Sequence, residues 1–254
     1  MVQRLHSEVI RHIASAQTRA TCPSIMPSLF SRPLALFDLD HTLLNGDGDD
    51  LWCRFLLRHG LLQRDVQARN EQLGADYRAG LVSAHDFSAF YASLLAGRSP
   101  AQWRHWLQLF LVQEIRPRLP TAAYALVAAH RAAGHTVVLT TASNRVIAEP
   151  SAAELGFHHC IATELALEGG VFTGQVQGTP NMREGKCLRM HAWLIEQGLP
   201  PQTLASAYFY SDSINDLPLL SQVGEPIAVN PDPQLHQHAR ANGWHVLDVL
   251  GIGL

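Results

Sequence analysis

From residue 121 onward the chain alternates helix-patterned and strand-patterned segments, and that alternation restricts the fold more than any other feature. Ala122 to Ala133 reads as a helix closed by Gly134, Thr136 to Thr140 as a strand, and Phe157 to Ala162 as another short strand. Leu165 to Glu168 and Val171 to Gln177 read as a hairpin joined at Gly169-Gly170. A helix from Glu184 to Gln197, stopped by Gly198, leads to a strand over Ala207 to Tyr210 and a short helix from Asn215 to Gln222. A strand at Pro226 to Val229, a helix near Pro233 to Ala241 and a last strand near Trp244 to Leu247 complete the series. Such alternation predicts α/β architecture: a doubly wound, Rossmann-like parallel sheet with helices on both faces. No internal repeat or low-complexity tract interrupts it.

One further strand lies far upstream. Leu34-Ala35-Leu36-Phe37 is a short apolar run that ends in Asp38-Leu39-Asp40, the pattern of a buried strand delivering acids at its carboxyl end. Between it and residue 121 the period changes to that of helices. Asp49 to Arg58 carries Leu51, Trp52, Phe55 and Leu56 on one side, with Gly60 as a stop. Ser83 to Ala96 opens with a Ser-x-x-Asp capping box and carries Phe87, Phe90, Tyr91, Leu94 and Leu95. Ser99-Pro100 caps another helix bearing Trp103, Trp106, Leu107, Phe110 and Leu111. At this spacing the aromatics read as the core of a small helical bundle, with a ligand pocket as the alternative. At 254 residues the chain suits one large domain, or one with a sizeable insertion.

Composition removes several classes of function. Hydrophobic residues make up 47% and charged residues 16%, which excludes a disordered chain or a coiled coil. A net charge of −3 lacks the field that sequence-independent binding to nucleic acid or an anionic membrane requires. The cysteines, Cys22, Cys53, Cys160 and Cys187, form no CxxC pair, so neither a disulfide framework nor a zinc site is indicated and a reducing, cytoplasmic setting is expected. Residues 1–32 hold four Arg and one acid with no apolar run long enough for a signal-peptide core or a membrane span. They read as an extension, or as the product of a start codon ahead of a true first residue at Met26. An organelle presequence can look the same.

The cations carry their own signal. Eighteen are arginine and one is lysine, Lys186, so a compact ammonium survives at a single place where a planar fork would otherwise stand. In a parallel sheet, ligands sit beyond the carboxyl ends of the strands. The first strand brings Asp38, Asp40 and Thr42 there, the second Thr141, Ala142 and Ser143, and the strand near residue 210 brings Asp212, Asn215 and Asp216, while Lys186 opens the intervening helix. Clustered acids beside one lysine call for a neutralising cation, and oxygen-rich ligation suits Mg²⁺ with a few carboxylates, waters and a phosphate oxygen. A strand-end carboxylate can attack phosphorus, and Asp38 and Asp40, two residues apart, can flank one phosphoryl group in different roles.

Asp38-Leu39-Asp40-His41-Thr42 after an apolar strand, Thr141 after a second, Lys186, and then Asp212 to Asp216 resemble the four-motif signature of the haloacid dehalogenase superfamily, over most of residues 34 to 230. The resemblance implies that Asp38 is the nucleophile, Asp40 the general acid and base, and Thr141 and Lys186 the groups that hold the phosphoryl oxygens. It implies that Asp212 ligates Mg²⁺ with Asp38 and the Asp40 main-chain carbonyl, that Asp216 supports the metal's water shell, and that Thr42, Ala142, Ser143 and Asn215 serve the phosphate side. The acid at Asp40 marks the phosphotransfer branch.

The insert resembles the helical cap of the phosphoserine phosphatase group, which sets the expected domains: core at 33–46 and 121–254, cap at 47–120. Serine-specific members of that group grip the substrate carboxylate with an acid and a cap arginine. Asp47, Asp49 or Asp50 can supply the acid or serve only as a helix cap, but the stretch Phe87 to Ala92 has no arginine, leaving Arg78 or Arg98 as substitutes. A small amino-alcohol phosphate such as histidinol phosphate is therefore the expected substrate, with phosphoserine, phosphotransfer to an alcohol, and a non-catalytic binding role as rivals. His158-His159 and His236-x-His238 read as surface or helix positions, and His41 as either a neighbour that tunes Asp40 or an exposed ring. Oligomeric state is left open.

Overall fold

In the computed structural model, which describes residues 32–253, strand β1 (Leu34–Phe37) lies at the middle of a seven-stranded sheet of order β4-β3-β2-β1-β5-β6-β7. The extension before residue 32, with Met26 and Cys22, falls outside the described residues. β1 pairs in parallel with β2 (Thr136–Asn144) and with β5 (Tyr208–Ser211). β3 (His159–Glu168) continues one side, and β6 (Glu225–Val229) and β7 (His245–Leu247) the other, all in parallel. Only β4 (Val171–Gln177) runs antiparallel, as the return arm of the hairpin from β3.

The burial of β1 explains why helices must cover both faces. Leu34 and Leu36 point to one face and Ala35 and Phe37 to the other, and all four are buried. On the Phe37 face lie α5 (Thr121–Ala132) and α6 (Arg145–Leu155), with Leu126, Val127, Ile147 and Leu155 in the same core. On the Leu36 face lie α7 (Glu184–Glu196), the short α8 (Leu217–Leu220) and α9 (Pro233–Ala241), contributing Met190, Leu194, Leu219 and Leu235. Chain order reverses between β1 and β5, so a crevice opens where their carboxyl ends part.

Four helices enter between β1 and α5: α1 (Gly48–Arg58), α2 (Asp65–Arg78), α3 (Ala84–Ser93) and α4 (Pro100–Phe110). Ser99 caps α4 in a reciprocal capping box with Gln102, and a π-helical turn, Leu111–Ile115, continues it. Trp52, Phe55, Trp103 and Phe110 bury one another, with centroids 5.0 to 5.6 Å apart for Trp52 and its three partners. These rings are bundle core, as their spacing predicts. Phe87 and Tyr91 instead reach the crevice. The β3–β4 hairpin ties the helices to the sheet, since Gly97 N–H donates to Phe172 and Phe172 N–H to Arg98. Among the described residues no helix is long and apolar enough to cross a membrane.

Candidate active site

The crevice between β1 and β5 holds a cavity of about 630 Å³, within the range of small-molecule sites. Its floor is built from the ends of three strands, β1, β2 and β5, and the start of one helix, α7. β1 stops at Phe37 and the chain folds over at His41 (φ 55), yet Asp38 and Asp40 both still reach the cavity wall.

Asp38 accepts a hydrogen bond from Lys186 Nζ at 2.9 Å, and its main-chain N–H is held by the Tyr210 carbonyl at 2.9 Å. Lys186 is 2% exposed and donates equally to Asp216, at 2.6 Å. Burial works against its charge, but Asp216 and Asp38 more than offset this and hold its pKa above that of a free lysine. With the site closed around an ammonium, a bulkier guanidinium would have to displace its neighbours. Gly185, immediately before it, could not carry a side chain, because a Cβ would stand 2.2 Å from the Pro180 carbonyl oxygen.

Asp40 is held separately. Its Oδ1 accepts from Gly48 N–H at 2.7 Å, and its Oδ2 from Ser143 Oγ at 2.8 Å and Thr141 Oγ1 at 3.2 Å. A Cβ on Gly48 would press to 3.1 Å from that carboxylate, so glycine lets the first turn of α1 close over it. Burial pushes the Asp40 carboxyl up to about 8, and the neighbouring Asp47 and Asp38 add to the rise. Burial also raises Asp38, but Lys186 pulls the other way and leaves it at about 6. Burial disfavours the charge of both acids, and of the two only Asp38 is in contact with Lys186, which offsets it. Paired carboxyls in such different environments can take different parts in one reaction.

The remaining residues singled out in the sequence fall into place unequally. Asp212, Asn215, Ala142 and Ser143 line the cavity. Thr42 does not: it is fully buried, its hydroxyl faces Asp38 Oδ2 at 3.3 Å and Asp212 Oδ1 at 3.2 Å, and it accepts from Asp212 N–H at 3.0 Å. Thr141 is likewise buried against Asp40 rather than on the wall. Both hydroxyls orient carboxylates instead of facing solvent. Asp216 sits beneath Lys186, its Oδ2 also accepting from Ser211 at 2.7 Å. Arg98, considered as a partner for a substrate carboxylate, stacks on Trp103 at 4.6 Å and stays away from the cavity. Asp47 caps α1 through the Asp50 N–H and also lines the cavity, as do Asp49 and Asp50.

A haloacid dehalogenase-like hydrolase model matches residues 35–221. The chain belongs to that family. A histidinol-phosphatase of Neisseria meningitidis is 38% identical over 217 residues, covering 85% of this chain and 98% of the relative. A phosphoserine phosphatase of Mycobacterium tuberculosis is 32% identical, covering 84% and 70%. Among solved structures, a protein of unknown function from Bordetella pertussis superposes with a TM-score of 0.83 at 43% identity, covering 87% of this chain and all of that one. A substrate-bound phosphoserine phosphatase gives 0.62 at 17% identity, with 86% and 93% covered, and shares the fold.

Among the described residues of this haloacid dehalogenase-like hydrolase, no three His, Cys, Asp or Glu side chains converge as a metal cage. The donor set fits a harder, less demanding ion. Thr42 draws the Asp38 and Asp212 carboxylates to one hydroxyl, and Asp212 is raised well above the usual range by burial and by the charges of Asp38 and Asp216. Two carboxylates that repel one another at the wall of one cavity suit Mg²⁺, which takes few protein ligands and fills its remaining positions with water and phosphate. Three residues not singled out earlier also matter here. Arg54 and Arg183 line the cavity, and buried Asn181 clamps the loop before Lys186, donating to Thr140 Oγ1, the Thr141 carbonyl and the Ile161 carbonyl at 2.9 to 3.1 Å. Each acts through contacts across the fold, and sequence spacing carries no trace of them.

Proposed function

We propose that this hydrolase is a Mg²⁺-dependent phosphomonoesterase that works through an aspartyl phosphate on Asp38 and acts on a small amino-alcohol phosphate such as histidinol phosphate. The observation that carries the reading is the placing of two acids on one cavity floor in different settings, Asp38 held by Lys186 and Asp40 by Gly48, Ser143 and Thr141. Asp38 and Asp212, with the Asp40 carbonyl, would hold Mg²⁺, which when bound withdraws charge from the phosphoryl oxygens.

The chain's own groups supply the rest. An Asp38 carboxylate oxygen forms a bond to phosphorus as the ester P–O bond breaks, and Asp40 gives its proton to the departing alkoxide. Asp40, then a carboxylate, takes a proton from water as that water attacks phosphorus, releasing phosphate and restoring Asp38. Lys186 offsets charge that builds on the transferring group beside Asp38. Helices α1 to α4, taken as a cap over residues 47–120, exclude bulk water and contact the leaving group.

The cap side of the cavity favours a cationic leaving group. Among the described residues that side is lined by Asp47, Asp49, Asp50 and Glu71 against Arg54, so a substrate ammonium is welcome and a second substrate carboxylate is not. Tyr77, Phe87 and Tyr91 add aromatic faces suited to an imidazole. A panel of phosphorylated metabolites, assayed with Mg²⁺ for free and transferred phosphate, tests the reading. Histidinol phosphate should exceed phosphoserine in kcat/KM by about 10-fold or more. A clear preference for phosphoserine, or transfer to an alcohol in place of hydrolysis, would replace it.

A further inference from the structure

We infer that Arg183 binds the substrate's phosphoryl group, as a second cationic anchor beside Lys186; this rests on the phosphomonoesterase reading above. The argument begins with the charges of the cavity. Of its three Lys and Arg among the described residues, Lys186 is paired with Asp38 and Asp216, and Arg54 with Asp50 at 2.9 Å. Arg183 has no carboxylate within ion-pair distance among the described residues. An incoming dianion meets a wall crowded with carboxyl groups, and Arg183 is the lining cation whose charge is not already matched by an acid.

Its side chain is nevertheless held in place. The guanidinium lies over the Tyr77 ring at 4.9 Å from the centroid, and Nε donates to Tyr77 Oη at 3.1 Å. Tyr77 in turn packs on Phe87, with centroids 4.4 Å apart. Nε is engaged by the Tyr77 hydroxyl, and among the described residues no hydrogen bond takes up the Nη donors, which leaves them for an acceptor such as phosphate. The backbone adds a second, independent sign. Arg183 has φ 50 and ψ −125, a conformation that a residue with a Cβ adopts only at a cost. That bend stands one turn ahead of Lys186, whose N–H donates to the Arg183 carbonyl at 3.1 Å, so the two cations enter the cavity from adjacent turns.

The test uses the full chain with Mg²⁺ and the variants Arg183→Gln, Arg183→Lys and Arg183→Gly. Arg183→Gln should raise KM for p-nitrophenyl phosphate and for histidinol phosphate alike, and the inhibition constant of inorganic phosphate with them, each by about 10- to 100-fold, while kcat falls far less. Arg183→Lys should recover part of the loss, keeping the charge without the fork. Arg183→Gly relieves the backbone and should melt no lower than the native chain while losing phosphate affinity as Gln does, which separates binding from folding. An unchanged phosphate inhibition constant in Arg183→Gln overturns the inference, as does a KM effect confined to one ester, which would place Arg183 on the leaving group. If the native chain hydrolyses neither ester, calorimetric titration with inorganic phosphate still decides. Affinity lost in Arg183→Gln then upholds the role of Arg183 while the hydrolase reading fails, and affinity equal in both proteins, or absent from both, overturns it.

Discussion

Asp40 and Lys186 are the residues at which the chemistry can be taken apart. If Asp40 is the acid, as proposed, Asp40→Asn removes the proton that the leaving group needs, so hydrolysis of alkyl phosphates should fall by about 10² to 10⁴, whereas p-nitrophenyl phosphate, whose leaving group needs little protonation, should still phosphorylate Asp38. Stopped-flow release of nitrophenol set against steady-state hydrolysis of an alkyl ester measures the split, and equal losses on both would remove Asp40 from the acid role. Lys186→Arg should be nearly as damaging as Lys186→Ala, lowering kcat/KM by about 10² or more, because the buried site is closed around an ammonium that bridges Asp38 and Asp216 and a larger planar group would disturb both. An active Arg enzyme would make the lone lysine accidental. The main acids and Lys186 were legible from their order along the chain. The inward turn of Thr42 and Thr141, and the arrival of Arg54 and Arg183, were not, because motif spacing says which strand end a residue occupies and nothing of which way its hydroxyl points.

At the scale of elements, the loop between β4 and α7 is the one on which the site most depends. Asn181 is fully buried and bridges β2 and β3 just ahead of Lys186, so Asn181→Ala strands several buried carbonyl and hydroxyl groups. Urea unfolding should show a loss of about 2 to 4 kcal/mol, and a loss below about 1 kcal/mol would mean that the loop is held by other contacts. Most elements of the core were readable from their apolar runs and their Gly and Pro boundaries. Two helices were not. α2 carries mainly polar residues, with Val66, Leu73 and Tyr77 as its few large apolar contacts, and so lacks a periodic stripe. α6 contains Pro150, which reads as a helix breaker, yet the buried side chains of Ile147, Ala148, Ala152 and Leu155 hold it on the sheet. β2 and β3 also run further than their apolar cores suggest, because pairing carries them out to Asn144 and Glu168.

Across the whole molecule, the reversal of strand order between β1 and β5 gathers residues as distant in sequence as Thr42 and Asp212 onto one floor, and the inserted helices close an acid-rich roof above it. In the proposed reaction, binding of Mg²⁺ and attack on a phosphate ester both depend on the same carboxylate, Asp38. The measurement that bears most directly on this account is the chemical state of that residue during turnover. The enzyme is mixed with Mg²⁺ and a phosphomonoester, quenched in acid, and digested for mass spectrometry. The account predicts a phosphoryl group on Asp38 in the native chain and in Asp40→Asn with p-nitrophenyl phosphate, and none in Asp38→Asn, which should fold but not turn over. Hydrolysis at native rates by a folded Asp38→Asn, or a phosphoryl group trapped on another residue, would contradict it.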